Sequence, residues 1–191
     1  MMQIFGDFVD QLPASEEYLT IHFSPASTPR KKRWSNYGLS ADFLGDYFAT
    51  FFPGDEITEG SIDRKANVKA AVSYIANELL ENTMKYSDEN ANLAVSISLY
   101  LYDERLVFRV TNPAEVNVAL TYQTFVQKLV TSDIDELYAA QLEQTAMGMG
   151  GSHMGILTMI NDYKAKLGWK FAPLPQQPET VQITVMAHLD A

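Results

Sequence analysis

Hydrophobic positions recur along this chain with two different periods. Between residues 61 and 87, Val68, Ala71, Val72, Ile75 and Leu79 fall at i, i+3, i+4, i+7 and i+11, which is one face of an α-helix. Asp63 or Ser61 can cap its start, and the pattern runs down near Tyr86-Ser87-Asp88. Leu93, Val95, Ile97, Leu99 and Leu101 then alternate with Ala94, Ser96, Ser98, Tyr100 and Tyr102. A period of two marks a strand with one buried face. Leu106, Phe108 and Val110 repeat the alternation after Asp103-Glu104, a turn, so the two runs read as a β-hairpin.

The flanks are less regular. Ile4, Phe5, Phe8, Val9 and Leu12 have helical spacing, Tyr18 to Phe23 reads as a short strand, and Ser24 to Arg33 reads as a loop. Ser40 is placed to cap a helix carrying Phe43, Leu44, Tyr47, Phe48 and Phe51, which must stop near Pro53-Gly54. After Asn112-Pro113 the chain turns helical, over 122–130 and 134–147. A glycine cluster (Gly148, Gly150, Gly151, Gly155) leads into a helix from His153 to about Ala165. Strands are expected at Trp169-Phe171 and at Val181 to Ala187. This order predicts an α+β fold, a two-layer α/β sandwich with a mixed, mostly antiparallel sheet. The expected organisation is a single domain over 1–191, with an N-terminal extension, 1–60, on a core at 61–191.

Composition narrows the chemistry. The chain has 191 residues, is 47% hydrophobic and 20% charged, and so can bury a sizeable core. Its net charge of −10 repels a phosphate backbone, so nucleic acid is not expected as a partner. The basic run Arg30-Lys31-Lys32-Arg33 reads as a solvated loop, or as a dock for an acidic partner protein. The absence of cysteine removes disulfides, thiolate metal sites and thiol nucleophiles, and fits a reducing cytoplasm. No long apolar run suggests a signal peptide or a membrane span. His22, His153 and His188 are scattered, and no Walker loop, GxSxG elbow or dinucleotide fingerprint is present.

The helix at 61–87 carries a local conflict. On a wheel of about 100° per residue with Ala71 at zero, Ile75 falls at about 40°, Val68 at about 60° and Leu79 at about 80°. Asn82 falls at about 20°, between Ala71 and Ile75, and Glu78 lies about 20° to the other side of Ala71. Two polar side chains thus continue an apolar stripe. Either they face a cavity holding water, metal or ligand, or the helix end emerges into solvent. Leu80 falls on the side opposite Ala71. It looks exposed and is expected to pack on the N-terminal segment or on another subunit, as in a homodimer.

The run Glu78-Leu79-Leu80-Glu81-Asn82-Thr83-Met84-Lys85-Tyr86 resembles the N-box of the GHKL superfamily of Bergerat-fold, histidine kinase-like ATPases. The resemblance covers about residues 61–190. It implies ATP and Mg²⁺ as cofactors. Asn82 would hold the metal against the phosphates, Glu78 would orient or activate the nucleophile, and Lys85 would lie near the phosphates. Asn112 stands where the family has the aspartate of its adenine box, with both following glycines absent. Gly151-Ser152-His153-Met154-Gly155-Ile156 corresponds to the second glycine box, with His153 replacing the middle glycine. The segment from Asn112 to Gly148 corresponds to the ATP lid. Size and the Glu-x-x-x-Asn box resemble the small anti-sigma-factor or SiaB-type branch, which implies a protein serine/threonine kinase or partner-switching protein. The alternative is a degenerate module that keeps the sandwich but does not bind ATP productively and acts by protein interaction.

Overall fold

The computed structural model describes residues 1–24, 30–54, 63–103, 105–147 and 153–191; side chains are described for these except 30–34 and 89. Six strands form one sheet: β1 (Gln3–Gly6), β2 (Glu17–Phe23), β3 (Val95–Tyr102), β4 (Arg105–Glu115), β5 (Lys166–Leu174) and β6 (Gln177–Asp190). The order is β1-β5-β6-β4-β3-β2, and every pairing is antiparallel. The expected α+β sandwich is therefore observed, with an antiparallel sheet rather than a mixed one. Among the described residues five α-helices accompany it: α1 (Arg30–Ala49), α2 (Arg64–Tyr86), α3 (Val116–Thr131), α4 (Ile134–Ala146) and α5 (Met154–Asn161).

The alternation read from the sequence sets the core face of the sheet. Ile97 and Leu99 of β3, Leu106, Phe108 and Val110 of β4, Ile183, Val185 and Ala187 of β6, and Trp169 and Phe171 of β5 are all buried. They form one cluster with the apolar faces of α1, α2, α3 and α5. Asp63 caps α2, its carboxylate accepting from the Ala66 amide at 3.0 Å. Ser61, the other candidate cap, lies outside the described residues.

Several local expectations change. Ile4 and Phe5, spaced as on a helix, lie in β1, whose backbone pairs with Lys170 and Trp169. Helix α1 begins at Arg30, so the basic run is its first turn and not a loop. Ser40 is therefore inside the helix, its hydroxyl donating to the Asn36 carbonyl at 2.7 Å, and does not cap it. β4 runs past Asn112-Pro113 to Glu115. Proline is accepted there because β3 pairs with β4 only as far as Ser96–Thr111, so no partner on that side needs its missing amide. Leu80 is fully buried. Gly45 of α1 lies against Lys69 and Ser73 of α2, so α1 covers the side of α2 on which Leu80 sits. Residues 1–60 contribute both edge strands and α1 to this fold.

The face of the sheet away from the helices is crossed by a strap, residues 7–16, running from β1 at one edge to β2 at the other. A Cβ on Gly168 would fall on the backbone of Asp7 and Phe8. Lys170 pairs with Asp10, His188 Nε2 lies 2.9 Å from the Asp7 carbonyl, and the Tyr102 hydroxyl donates to the Pro13 carbonyl at 2.8 Å.

Candidate functional site

The second half of α2 faces both the sheet and the start of α5. Thr83 is buried, and its hydroxyl donates to the Leu80 carbonyl at 2.7 Å. Asn82 is buried to 7% exposure, yet its side chain forms no hydrogen bond among the described residues. Its amide atoms are not sealed from solvent, so water can satisfy them. Glu78, one turn earlier, is half-buried and has no hydrogen-bond partner either. Burial pushes its carboxyl pKa up, the nearby Glu81 adds to the rise, and Lys85 opposes it. Glu81 accepts from the Asn77 amide at 3.0 Å, so the two acids of the motif have different settings.

Gly155 closes on this acid. A Cβ built there would fall on the Glu78 carboxylate, so any larger residue would displace that side chain from its present place. Tyr74, one turn below Glu78, stacks on Tyr163 just after α5, with ring centroids 4.9 Å apart. That stack fixes the far end of the same helix–helix contact.

An aromatic cluster lies beyond the other side of Asn82. The Tyr86 hydroxyl and His153 Nε2 are 3.0 Å apart. His153 stacks on Phe125 with centroids 3.7 Å apart, and Tyr86 stacks on Tyr122 at 4.6 Å. Tyr122 is buried and its hydroxyl accepts from Trp169 Nε1 at 2.9 Å; burial drives its pKa well above the usual phenol value. The cluster thus joins α2, α3, β5 and the start of α5. Desolvation, with a smaller push from Lys85, lowers the His153 pKa, so this ring is neutral near pH 7.

Asn112 sits on the helix-facing side of β4 and is 4% exposed. Its Nδ2 donates to the Pro113 carbonyl at 3.2 Å. A carbonyl only accepts, which fixes the orientation of the amide and leaves Oδ1 as an acceptor beside the second Nδ2 hydrogen. The Asp88 amide also donates to the Pro113 carbonyl, at 2.9 Å, tying the end of α2 to the end of β4.

Among the residues singled out from sequence, the structure thus brings Glu78 against Gly155, and Tyr86 against His153. Lys85 is exposed at the rim, within electrostatic reach of Glu78 and His153. Gly151 and Ser152 lie outside the described residues. Tyr122 and Phe125 were not singled out as site residues; the helical spacing of 122–130 showed an apolar face but not what it meets. A separate cavity of about 570 Å³ is lined by Asp88, Glu115 and Glu179, and these three carboxylates make it hostile to phosphate.

Among the described residues, no helix is long and apolar enough to cross a membrane, and no group of three or more His, Asp or Glu forms a metal cluster. No protein-family model matches the sequence, and no curated protein matches it. The fold is similar to a chain of the crystal structure of the SiaB–SiaC complex from Pseudomonas aeruginosa, with a TM-score of 0.59. The two chains share 16% identity, over 90% of this chain and 89% of that one, so the similarity is one of fold.

Proposed function

We propose that this chain is an ATP-binding regulatory protein of the partner-switching type, acting as a serine/threonine kinase on a partner protein. The observation that carries the reading is the pair on α2: a buried amide, Asn82, and a half-buried carboxylate, Glu78, both without hydrogen bonds among the described residues. Their donor chemistry fits a hard cation, which takes amide and carboxylate oxygens and keeps several waters. Mg²⁺ bound with ATP would neutralise charge on the phosphates. Asn82 would hold the metal, and Lys85 would sit at the phosphate rim.

Glu78 would accept the proton of a partner's serine or threonine hydroxyl, a role to which its raised pKa is suited. Asn112 Oδ1 would accept from an exocyclic amine of the base. His153, with Gly151, Ser152 and Gly155, would form the turn that meets the phosphates. Support for a protein partner comes from the fold similarity to a chain crystallised in the SiaB–SiaC complex.

The aromatic cluster favours a second reading. Tyr86, Tyr122, Phe125 and His153 already fill one another's faces, as in a module that keeps the sandwich and binds proteins without productive ATP binding.

Titration calorimetry with Mg-ATP separates the two. The first reading expects micromolar, Mg²⁺-dependent binding that falls at least about 100-fold in Asn82→Ala, a loss of roughly 2.7 kcal/mol, while Glu78→Ala still binds. Absence of binding at millimolar Mg-ATP would leave only the second.

A further inference from the structure

Four rings beyond the end of α2 lie almost parallel, in two layers. Tyr122 and Phe125 of α3 form one layer, with centroids 6.3 Å apart and planes 9° apart. Tyr86 and His153 form the other, with centroids 6.4 Å apart and planes 13° apart. These two meet at their edges, where the Tyr86 hydroxyl and His153 Nε2 are 3.0 Å apart. Between the layers Tyr86 lies on Tyr122 at 4.6 Å, and His153 lies on Phe125 at 3.7 Å.

The four members are not held alike. Tyr122 is buried and tied to Trp169 by a hydrogen bond of 2.9 Å. Tyr86 belongs to α2 and Phe125 to α3, the two helices that carry this corner. These three rings form a ledge. His153 stands one residue before α5, where its side chain makes no capping hydrogen bond, and it is half-buried. Its ring is the one that can leave with least disturbance to the fold. Its departure uncovers the face of Phe125 and the hydroxyl of Tyr86.

The chemistry of that ring says what fits in its place. An imidazole is the five-membered ring of a purine. In its neutral form it offers a flat face and one acceptor nitrogen in the ring plane, and desolvation keeps His153 neutral near pH 7. With the Tyr86 hydroxyl donating, that acceptor is Nε2. A purine base offers the same two features, a wider face and ring nitrogens that accept in its plane.

We propose that the ledge of Tyr86, Tyr122 and Phe125 binds the purine base of the nucleotide, and that His153 occupies it as an internal stand-in when no nucleotide is bound. The base takes the place of the His153 ring on Phe125 and accepts from the Tyr86 hydroxyl at a ring nitrogen. A base stacked on an aromatic side chain gains more than a pair of side-chain rings does, so the exchange runs towards the base. The backbone of His153 stays in the turn proposed to meet the phosphates; only its ring moves. The Asp88 amide, two residues past Tyr86, donates to the Pro113 carbonyl, so the ledge adjoins the corner that holds Asn112, the acceptor proposed for the base's amine. This inference rests on the nucleotide-binding reading and adds the contact that recognises the base.

Proton NMR of the full chain tests it. The chain has three histidines, and the His153 ring resonances are assigned by their loss in His153→Ala. Stacking on Phe125 places them upfield of those of His22 and His188 in the free protein. Saturating Mg-ATP is expected to return them to the position of an unstacked imidazole. Mg-tripolyphosphate, which carries the phosphates without a base, is expected to leave them in place. Calorimetry reads the affinity. Phe125→Leu keeps the bulk and loses the π face; it is expected to weaken Mg-ATP at least about tenfold and to leave Mg-tripolyphosphate within about twofold of wild type. Tyr86→Phe keeps the stack on Tyr122 and loses the hydroxyl, with an expected loss of about fivefold for Mg-ATP alone. Far-UV circular dichroism checks that each variant is folded. Mg-ATP that binds while His153 stays stacked overturns this inference alone. So does full Mg-ATP affinity in Phe125→Leu, or a His153 shift that tripolyphosphate reproduces. If neither Mg-ATP nor Mg-tripolyphosphate binds, the nucleotide reading falls and this inference falls with it.

Discussion

Glu78 pairs burial with a missing hydrogen bond, and that combination has a thermodynamic signature. Its folded pKa lies above the unfolded value, so the native state binds the proton more tightly than the unfolded chain does. Stability should therefore fall as pH rises from about 4.5 through the raised pKa, and stay reduced above it. Glu78→Gln keeps the shape and removes the charge. It is expected to raise the melting temperature at pH 7 by about 2 °C or more and to leave it unchanged near pH 4, as thermal melts at both pH values would show. The helical wheel had already placed Glu78 and Asn82 beside the apolar stripe, because each side chain's direction follows from one known angle per residue. It left Leu80 looking exposed, with the N-terminal segment or another subunit as its expected cover, and α1 of the N-terminal segment is the cover observed. α2 has two buried faces, one to the sheet and one to α1, and only the tertiary fold supplies the second.

At the scale of elements, the long alternating strands and the 23-residue α2 were legible, since each carries several repeats of its period. β1 was not. Four residues hold too few alternations, and Phe8 and Val9 of the adjoining strap happened to complete a helical spacing. The end of β4 was misplaced because Pro113 reads as a breaker until its unpaired side is seen. The site followed the same division. The α2 pair was visible locally, whereas the stack of His153 on Phe125 joins residues from separate elements, and no periodicity reports it. That stack makes a pH prediction opposite in sign to the one for Glu78. His153 has a folded pKa below the ordinary 6.5, so the native state resists protonation, and stability should drop as pH falls from 6.5 through the lowered value. His153→Phe preserves an aromatic face against Phe125 and cannot titrate. Urea unfolding between pH 7.5 and 5 is expected to lose the His153 contribution in this variant, leaving a flatter profile.

The whole molecule is held on both sides of its sheet, by helices on one face and by the 7–16 strap on the other. Gly168 is the test of the strap, because a side chain there would collide with the backbone of Asp7 and Phe8. Gly168→Val is expected to cost about 1–3 kcal/mol in urea unfolding and to expose the strap to limited proteolysis. A variant as stable as wild type would show that the strap contributes little. Sheet order has a further consequence for how the chain comes into being. β1 and β2 are neighbours in sequence but stand at opposite edges, and among the described residues β1 pairs only with β5. On the ribosome, the first strand therefore has no template until residues 166–174 have emerged. Pairing residues 3–6 with 168–171 is a long-range contact, of the kind whose loop-closure cost slows folding.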